Sequence, residues 1–188
     1  VSEAVASVQG VIHCAGVLGT QETIRDPRAA MATNLSGSVQ VFQACVASRV
    51  PCVYITVGNY WMLNSYSITK TAAERFAWML NQEADGQIRV VRALNAYGPG
   101  QKAAPVRKIM PTFILAALRG EPIEIYGDGA QIMDMIYVED VAEILVRALR
   151  VQGGALPYTY RPVQGQEDSP AIQAGTGTLM SPTEKQQY

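Results

Sequence analysis

A tyrosine and a lysine stand four residues apart in the run Asn64-Ser65-Tyr66-Ser67-Ile68-Thr69-Lys70. On a helix that spacing brings Tyr66 and Lys70 to one face, one turn apart. An ammonium held beside a phenol favours the phenolate and draws the tyrosine pKa towards the range useful for proton transfer. A hydroxyl from an adjacent strand end would complete such a site, and Thr56, closing the run CVYIT, is placed to supply it. The alternative is an ordinary Tyr and Lys on the surface of a first helical turn. In a chain with nine tyrosines a Tyr-x-x-x-Lys match arises by chance roughly 0.2 times, so the pair decides nothing alone.

Other reactive side chains are sparse. His13 is the only histidine; it lies in the apolar run VIHCAG and is read as structural. No second ligand stands at metal-binding spacing, so no metal site is expected. Cys14, Cys45 and Cys52 form no Cys-x-x-Cys pair, and all three are read as small buried hydrophobes. An odd count of unpaired thiols fits a reducing, cytoplasmic setting.

The elements that must position these groups alternate. GVIHCAG (10–16) is a short apolar run closed by glycine, as in a strand buried on both faces. A helix is expected from about Ser36 to Arg49, beginning near Asn34, then the strand PCVYITV and a helix from about Tyr66 to Glu83 with Asn64 and Ser65 as N-cap candidates. Ile68, Ala72, Phe76 and Leu80 give that helix one apolar stripe. The strand IRVVRAL (88–94) follows. Strand and helix in alternation predict parallel βαβ units, an α/β fold. Beyond Gly100 a helix starting near Pro111 and stopped by Gly120 is expected, then short strands in IEIYGDG and MDMIYV. Asp140 with Glu143 resembles a capping box opening VAEILVRALR. From Gly153 the composition predicts poor order, except for a strand in AIQAG.

At 188 residues, 48% hydrophobic and 16% charged, the chain has the size of one globular domain. A formal net charge of −1 offers no basic excess for nucleic acid, and that partner class is set aside. No apolar run reaches the roughly 18 residues needed to span a membrane.

Six segments carry a resemblance: VIHCAG (11–16), Asn34-Leu35-Ser36-Gly37-Ser38, VYITVG (53–58), YSITK (66–70), Arg92-Ala93-Leu94-Asn95-Ala96-Tyr97-Gly98-Pro99-Gly100, and GDGAQIMDMIYVEDVA (127–142). In that order and spacing they resemble the extended short-chain dehydrogenase/reductase family, the NAD-dependent sugar-nucleotide epimerases and dehydratases. The resemblance implies a Rossmann-like, doubly wound parallel sheet, of which the second half is present and the first βαβ units are missing, with a small α+β substrate-binding part. It divides the chain into residues 1–100 of a cofactor-binding domain, residues 101–178 of a substrate-binding domain and a tail, 179–188. Tyr66 would exchange a proton with a sugar hydroxyl, Lys70 would lower its pKa and bind the nicotinamide ribose, and Thr56 would orient the reacting hydroxyl. Ala15, Gly16 and Asn34 are implied at the cofactor. Asn95, Arg107, Lys108 and Tyr60 are implied at a nucleotide-sugar substrate. The cofactor implied is NAD, with NADP left open, and the partner is a second copy, paired through a four-helix bundle using Phe42, Val46, Ala73 and Trp78.

The sequence departs from the family pattern in three places. Nothing before Gly10 supplies the glycine-rich turn that holds the pyrophosphate, an expected loss of roughly 60 residues. Met133 stands where an arginine usually grips the diphosphate, leaving Arg107 and Lys108 to compensate. Val57 and Gly58 stand where dehydratases carry acids, which favours an epimerase or a simple reductase over a dehydratase; the epimerase is the reading taken, with a reductase or 4,6-dehydratase of the same family as the alternative. A non-catalytic remnant lacking its cofactor half is the alternative from another class. These 188 residues alone are accordingly expected to bind NAD weakly or not at all and to be inactive; micromolar affinity in a calorimetric titration would overturn that expectation.

Overall fold

Residues 1–151 and 172–174 are described by the structure, a computed structural model. In chain order the elements are α1 (Ser2–Ala6), β1 (Val11–His13), α2 (Thr20–Arg25), α3 (Pro27–Ala30), a π-helical stretch (Met31–Gly37), α4 (Ser38–Ser48), β2 (Cys52–Val57) and α5 (Ser65–Glu83). They continue with β3 (Ile88–Ala93), β4 (Asn95–Tyr97), α6 (Ile109–Arg119), β5 (Met135–Tyr137), α7 (Val138–Arg150) and β6 (Ile172–Ala174). Four strands form one parallel sheet in the order β1-β2-β3-β6, and β4 pairs in parallel with β5 in a second, two-stranded sheet. The expected α/β alternation is therefore present, and AIQAG does hold a strand. Two elements from beyond residue 100, α7 and β6, belong to the layer of the main sheet. The expectations for residues 153–171 and 175–188, the tail 179–188 included, lie outside the described residues.

Strand pleating divides the core in two, because successive side chains point to opposite faces. Cys52 and Tyr54 of β2, with Ile88 and Val90 of β3, pack under α4 and α5 against Phe42, Cys45, Ala73 and Ala77. Val53 and Val91 point the other way, onto Val141, Leu145 and Ala148 of α7. With both faces covered, the strands read as continuous apolar runs rather than alternating ones.

Local signals set most boundaries. The Asn64 side chain accepts from the Ser67 amide at 2.9 Å and starts α5. Gly120, in the left-handed region at φ 66°, ends α6 as expected. Asn81 brackets Ile88 with both ends of its amide, at 2.7 and 2.9 Å, and fixes where β3 begins.

Several expectations fail, each for a local reason. The helix expected from Ser36 starts earlier, since α3 and the π-helical stretch lead straight into α4. Residues 123–126 form no strand; they are exposed and run into a turn with Gly127 and Gly129 both at φ 78°. Asp140 lies within the first turn of α7 and does not cap it. Of the stripe expected to bury α5, Ile68 and Phe76 face outwards, 54% and 40% exposed, and Leu80 packs against the core. The inner face carries Ser67, Lys70, Ala73, Glu74 and Ala77 instead. Phe42 and Ala73 are wholly buried within this chain's own core, which removes both from any pairing surface. Cys14 is exposed at the end of β1, unlike Cys45 and Cys52. Among the described residues no helix is long and apolar enough to cross a membrane.

The inner face of α5 is fastened to the sheet by an ion pair. Arg92, near the end of β3, donates from Nε to Glu74 Oε2 at 3.2 Å and from Nη2 to Oε1, and both residues are buried. Burial pushes the Glu74 carboxyl above its usual range while the guanidinium pulls it back. Such a pair costs much to break from one side only. Arg92→Met is expected to lower the unfolding free energy by about 3–5 kcal/mol, and the double variant Glu74→Met/Arg92→Met to recover most of it, measured by urea unfolding.

Candidate active site

A cleft of about 840 Å3 opens where the strands end, lined by residues that follow β1, β2 and β3 and by the first turn of α5. Ligands of open parallel sheets bind at the carboxyl ends of the strands, so position alone marks this cleft. Gly16, Tyr66, Asn95, Arg107 and Lys108, all expected at the site, line it. Its other charged residue is Lys102, and among the described residues no carboxylate lines it.

Tyr66 reaches the wall from the start of α5, where the Asn64 cap holds the first turn. Burial pushes its phenol above the usual tyrosine range. Lys70 does not offset this in the geometry found, which corrects the expected lowering. Its ammonium lies over the Tyr54 ring instead, 4.3 Å from the centroid. It also points at the loop after β1, since a Cβ on Gly16 would stand 3.9 Å from Nζ. Lys70 is 3% exposed and has no ion-pair partner among the described residues. Desolvation accordingly lowers its pKa to about 8. Its charge also helps burial hold His13 down at about 4, so that histidine stays neutral. His13 Nε2 sits 2.9 Å from Ser38 Oγ, whose own proton goes to the Asn34 carbonyl at 2.7 Å. The imidazole therefore donates from Nε2, and its role is structural, as expected.

Asn34 does not reach the cleft. It is fully buried in the π-helical stretch, and its amide closes on Val17 from both sides. Oδ1 accepts from the Val17 N–H at 2.7 Å, and Nδ2 donates to the Val17 carbonyl at 3.0 Å. Asn34 thus holds the loop after β1 rather than touching a ligand, and it leaves Gly16 no room: a Cβ there would lie 3.1 Å from Oδ1. Ala15, on the same loop, is exposed and does not line the cleft.

Two further expectations are corrected by pleating and packing. Thr56 is 3% exposed and faces α5, where its hydroxyl donates to the Lys70 carbonyl at 3.3 Å. Its neighbour Val57, one pleat on, lines the cleft in its place. Tyr60 turns back onto the protein, its ring 4.1 Å from the Arg92 guanidinium carbon. Asn59 and Met62 from the same segment line the cleft instead. Gly58 lets this segment pass β3, since a Cβ there would sit 2.2 Å from Leu94 Cδ2 and 3.0 Å from its Cα. The pairing of Glu74 with Arg92 had one signal in the sequence, a glutamate four residues after Lys70 on a face that must meet the sheet.

A family model described as NAD dependent epimerase/dehydratase matches residues 1–160. A UDP-N-acetyl-alpha-D-glucosaminuronate decarboxylase of Bacillus cytotoxicus is 27% identical over 186 residues, covering 87% of this chain and 56% of its own length. A UDP-N-acetylglucosamine 4-epimerase of Methanobrevibacter ruminantium, solved with UDP-N-acetylmuramic acid, superposes with a TM-score of 0.78. That likeness, at 21% identity over 81% of this chain and 55% of the other, concerns the fold. The MoeE5 structure, in complex with UDP-glucose and NAD, has a TM-score of 0.75 at 27% identity and covers 98% of this chain and 62% of the other. The chain thus spans a little over half the length of these three relatives.

A lone buried ammonium carries a stability cost whose sign follows from its pKa. The folded pKa of about 8 lies below the usual 10.5. Between those values the unfolded chain binds the extra proton, so the stability of the native protein should rise with pH across that window. Lys70→Met should raise the unfolding free energy at pH 7 by roughly 1–2 kcal/mol, after loss of the contact with the Tyr54 ring. That advantage should shrink towards pH 10.5, as followed by thermal unfolding.

Proposed function

The chain belongs to the NAD-dependent epimerase/dehydratase family, and on that premise we propose that the protein is a nucleotide-sugar epimerase whose proton chemistry runs through Tyr66 and Lys70. The observation that carries this reading is the position of Tyr66. Its phenol stands at the wall of a cleft at the strand ends, with a buried ammonium one helical turn behind it.

The residues present fit a dinucleotide at its nicotinamide end. Lys70 has N–H donors without an ion-pair partner among the described residues, and it lies beside Gly16, which lines the cleft. We assign Gly16 and Lys70 to NAD, Lys70 donating to the ribose hydroxyls. When bound, NAD would supply the acceptor and donor for a hydride of the sugar carbon. Tyr66 takes the proton of the sugar hydroxyl as that carbon is oxidised and gives it back on reduction. In the geometry found Lys70 does not offset the effect of burial on the phenol, so its part is to hold the ribose. The proposed substrate is a nucleotide-diphosphate sugar, as the names of the matched relatives suggest. Lys102, Arg107 and Lys108 supply cations for its phosphates, and Asn95 a polar contact.

Epimerisation is favoured over dehydration because eliminating water needs a proton donor for the departing hydroxyl. Val57 and Gly58 stand at the strand end, and no carboxylate lines the cleft among the described residues. The intact protein is proposed to pair with a second copy through the outer face of α5, where Ile68, Phe76 and Met79 are exposed.

Tyr66→Phe removes only the transferable proton. In the intact protein it should lower kcat by more than 1,000-fold with NAD still bound, as followed by turnover of UDP-glucose, UDP-glucuronate and UDP-N-acetylglucosamine and by calorimetry with NAD. A Phe variant retaining a tenth of the parent rate would remove Tyr66 from the mechanism.

A further inference from the structure

A hydroxyl at the reacting oxygen remains to be found once Thr56 is seen to face away from the cleft. Ser67 is the neighbour of Tyr66 on α5, lines the cleft, and is 1% exposed. Its backbone N–H is taken by the Asn64 cap, but its hydroxyl forms no hydrogen bond with any described residue. Serines inside helices usually return their proton to the carbonyl four residues back. Thr69 does this with the Ser65 carbonyl at 2.7 Å. Ser67 stands only three residues after the cap, so its i−4 position, Leu63, precedes the helix and offers no such acceptor. A hydroxyl with no partner in the protein takes one from outside, and the cleft that Ser67 lines is the direction from which it can arrive.

We propose that Ser67, rather than Thr56, orients the reacting sugar oxygen beside Tyr66. This rests on the epimerase reading given above. The chemistry suits a hydroxyl, which donates one hydrogen bond in both states of the substrate. While the sugar carbon is an alcohol, its oxygen accepts from Ser67 and directs its proton to Tyr66. Once the carbon is a ketone, the oxygen accepts from Ser67 and Tyr66 together. Ser67 keeps its own proton throughout, and Tyr66 alone gains and loses one.

The test compares Ser67→Ala with Thr56→Val in the intact protein supplied with NAD, using whichever of UDP-glucose, UDP-glucuronate or UDP-N-acetylglucosamine the parent turns over. Ser67→Ala should lose about 100-fold in kcat, the range found when one preorganised donor to a reacting oxygen is removed. Its Tm without ligand should equal or exceed that of the parent, because no protein bond is lost. Thr56→Val should instead lower the Tm, because it removes the bond to the Lys70 carbonyl. A Ser67→Ala variant within threefold of the parent rate would overturn the proposal. So would one whose Tm falls as far as that of Thr56→Val, since the hydroxyl would then be a structural bond. Greater loss of turnover in Thr56→Val than in Ser67→Ala, at equal folded fraction, would return the role to Thr56. A parent that converts none of the three sugars would overturn the epimerase reading itself, and this assignment with it.

Discussion

Lys70 holds a positive charge out of water with no carboxylate among the described residues to neutralise it, and much of the surrounding packing follows from keeping that charge available. A glutamate four residues further along a helix is an ordinary partner for a lysine. Glu74 occupies that position, yet Arg92 takes it with two nitrogen donors from the adjacent strand. A planar guanidinium outcompetes a single ammonium for a carboxylate when both are desolvated. The charge of Lys70 is left to the face of the Tyr54 ring and to the loop after β1. Tyr54 and Thr56 both send hydroxyl protons to the Lys70 backbone carbonyl, each at 3.3 Å, which anchors the residue without touching its ammonium.

The same constraint explains why the loop after β1 is fixed so firmly. A buried cation facing a mobile backbone would find solvent instead of a ligand. The wide turn of the π-helical stretch sets Asn34 under that loop, where its side-chain amide pairs with the Val17 backbone as one strand pairs with another. Irregular turns inside helices often mark such positions. His13, Ser38 and the Asn34 carbonyl continue the contact chain from β1 into α4, so the loop is tied at both ends.

Periodicity and local punctuation made the sheet readable in the sequence. The apolar runs of β1, β2 and β3, the Asn64 cap and the stop at Gly120 depend on nearby residues, and the structure follows them. What sequence could not reveal depends on the partner across a packing face. The stripe Ile68-Phe76 looks like a buried side by apolarity alone, but α5 lies over the strand ends, where Lys70 and Glu74 are needed. The Tyr-x-x-x-Lys pattern located the reactive turn; it could not tell which hydroxyl shares it. A one-residue step along a strand turns a side chain to the opposite face, so Thr56 and Val57 were interchangeable on paper and opposite in the fold. Ser67 carries no signal of its own within the Tyr-x-x-x-Lys spacing, because its value depends on which side of the first turn meets the cleft.

On the proposed reading, the replacement of an expected arginine by Met133 moves phosphate recognition from the segment before β5 to the one before α6. Met133 and Met135 line the cleft with apolar surface, while Lys102, Arg107 and Lys108 approach from the segment between β4 and α6. Two unit charges 4 Å apart attract by about 4 kcal/mol near a protein surface, so three cations, with no opposing carboxylate among the described residues, suffice to draw an anionic ligand. Each long side chain immobilised on binding costs about 0.5–1.5 kcal/mol. The cleft therefore favours ligands with enough negative charge to order several cations together. The reactive end, built on α5 and the clamped loop after β1, is already in place before they arrive.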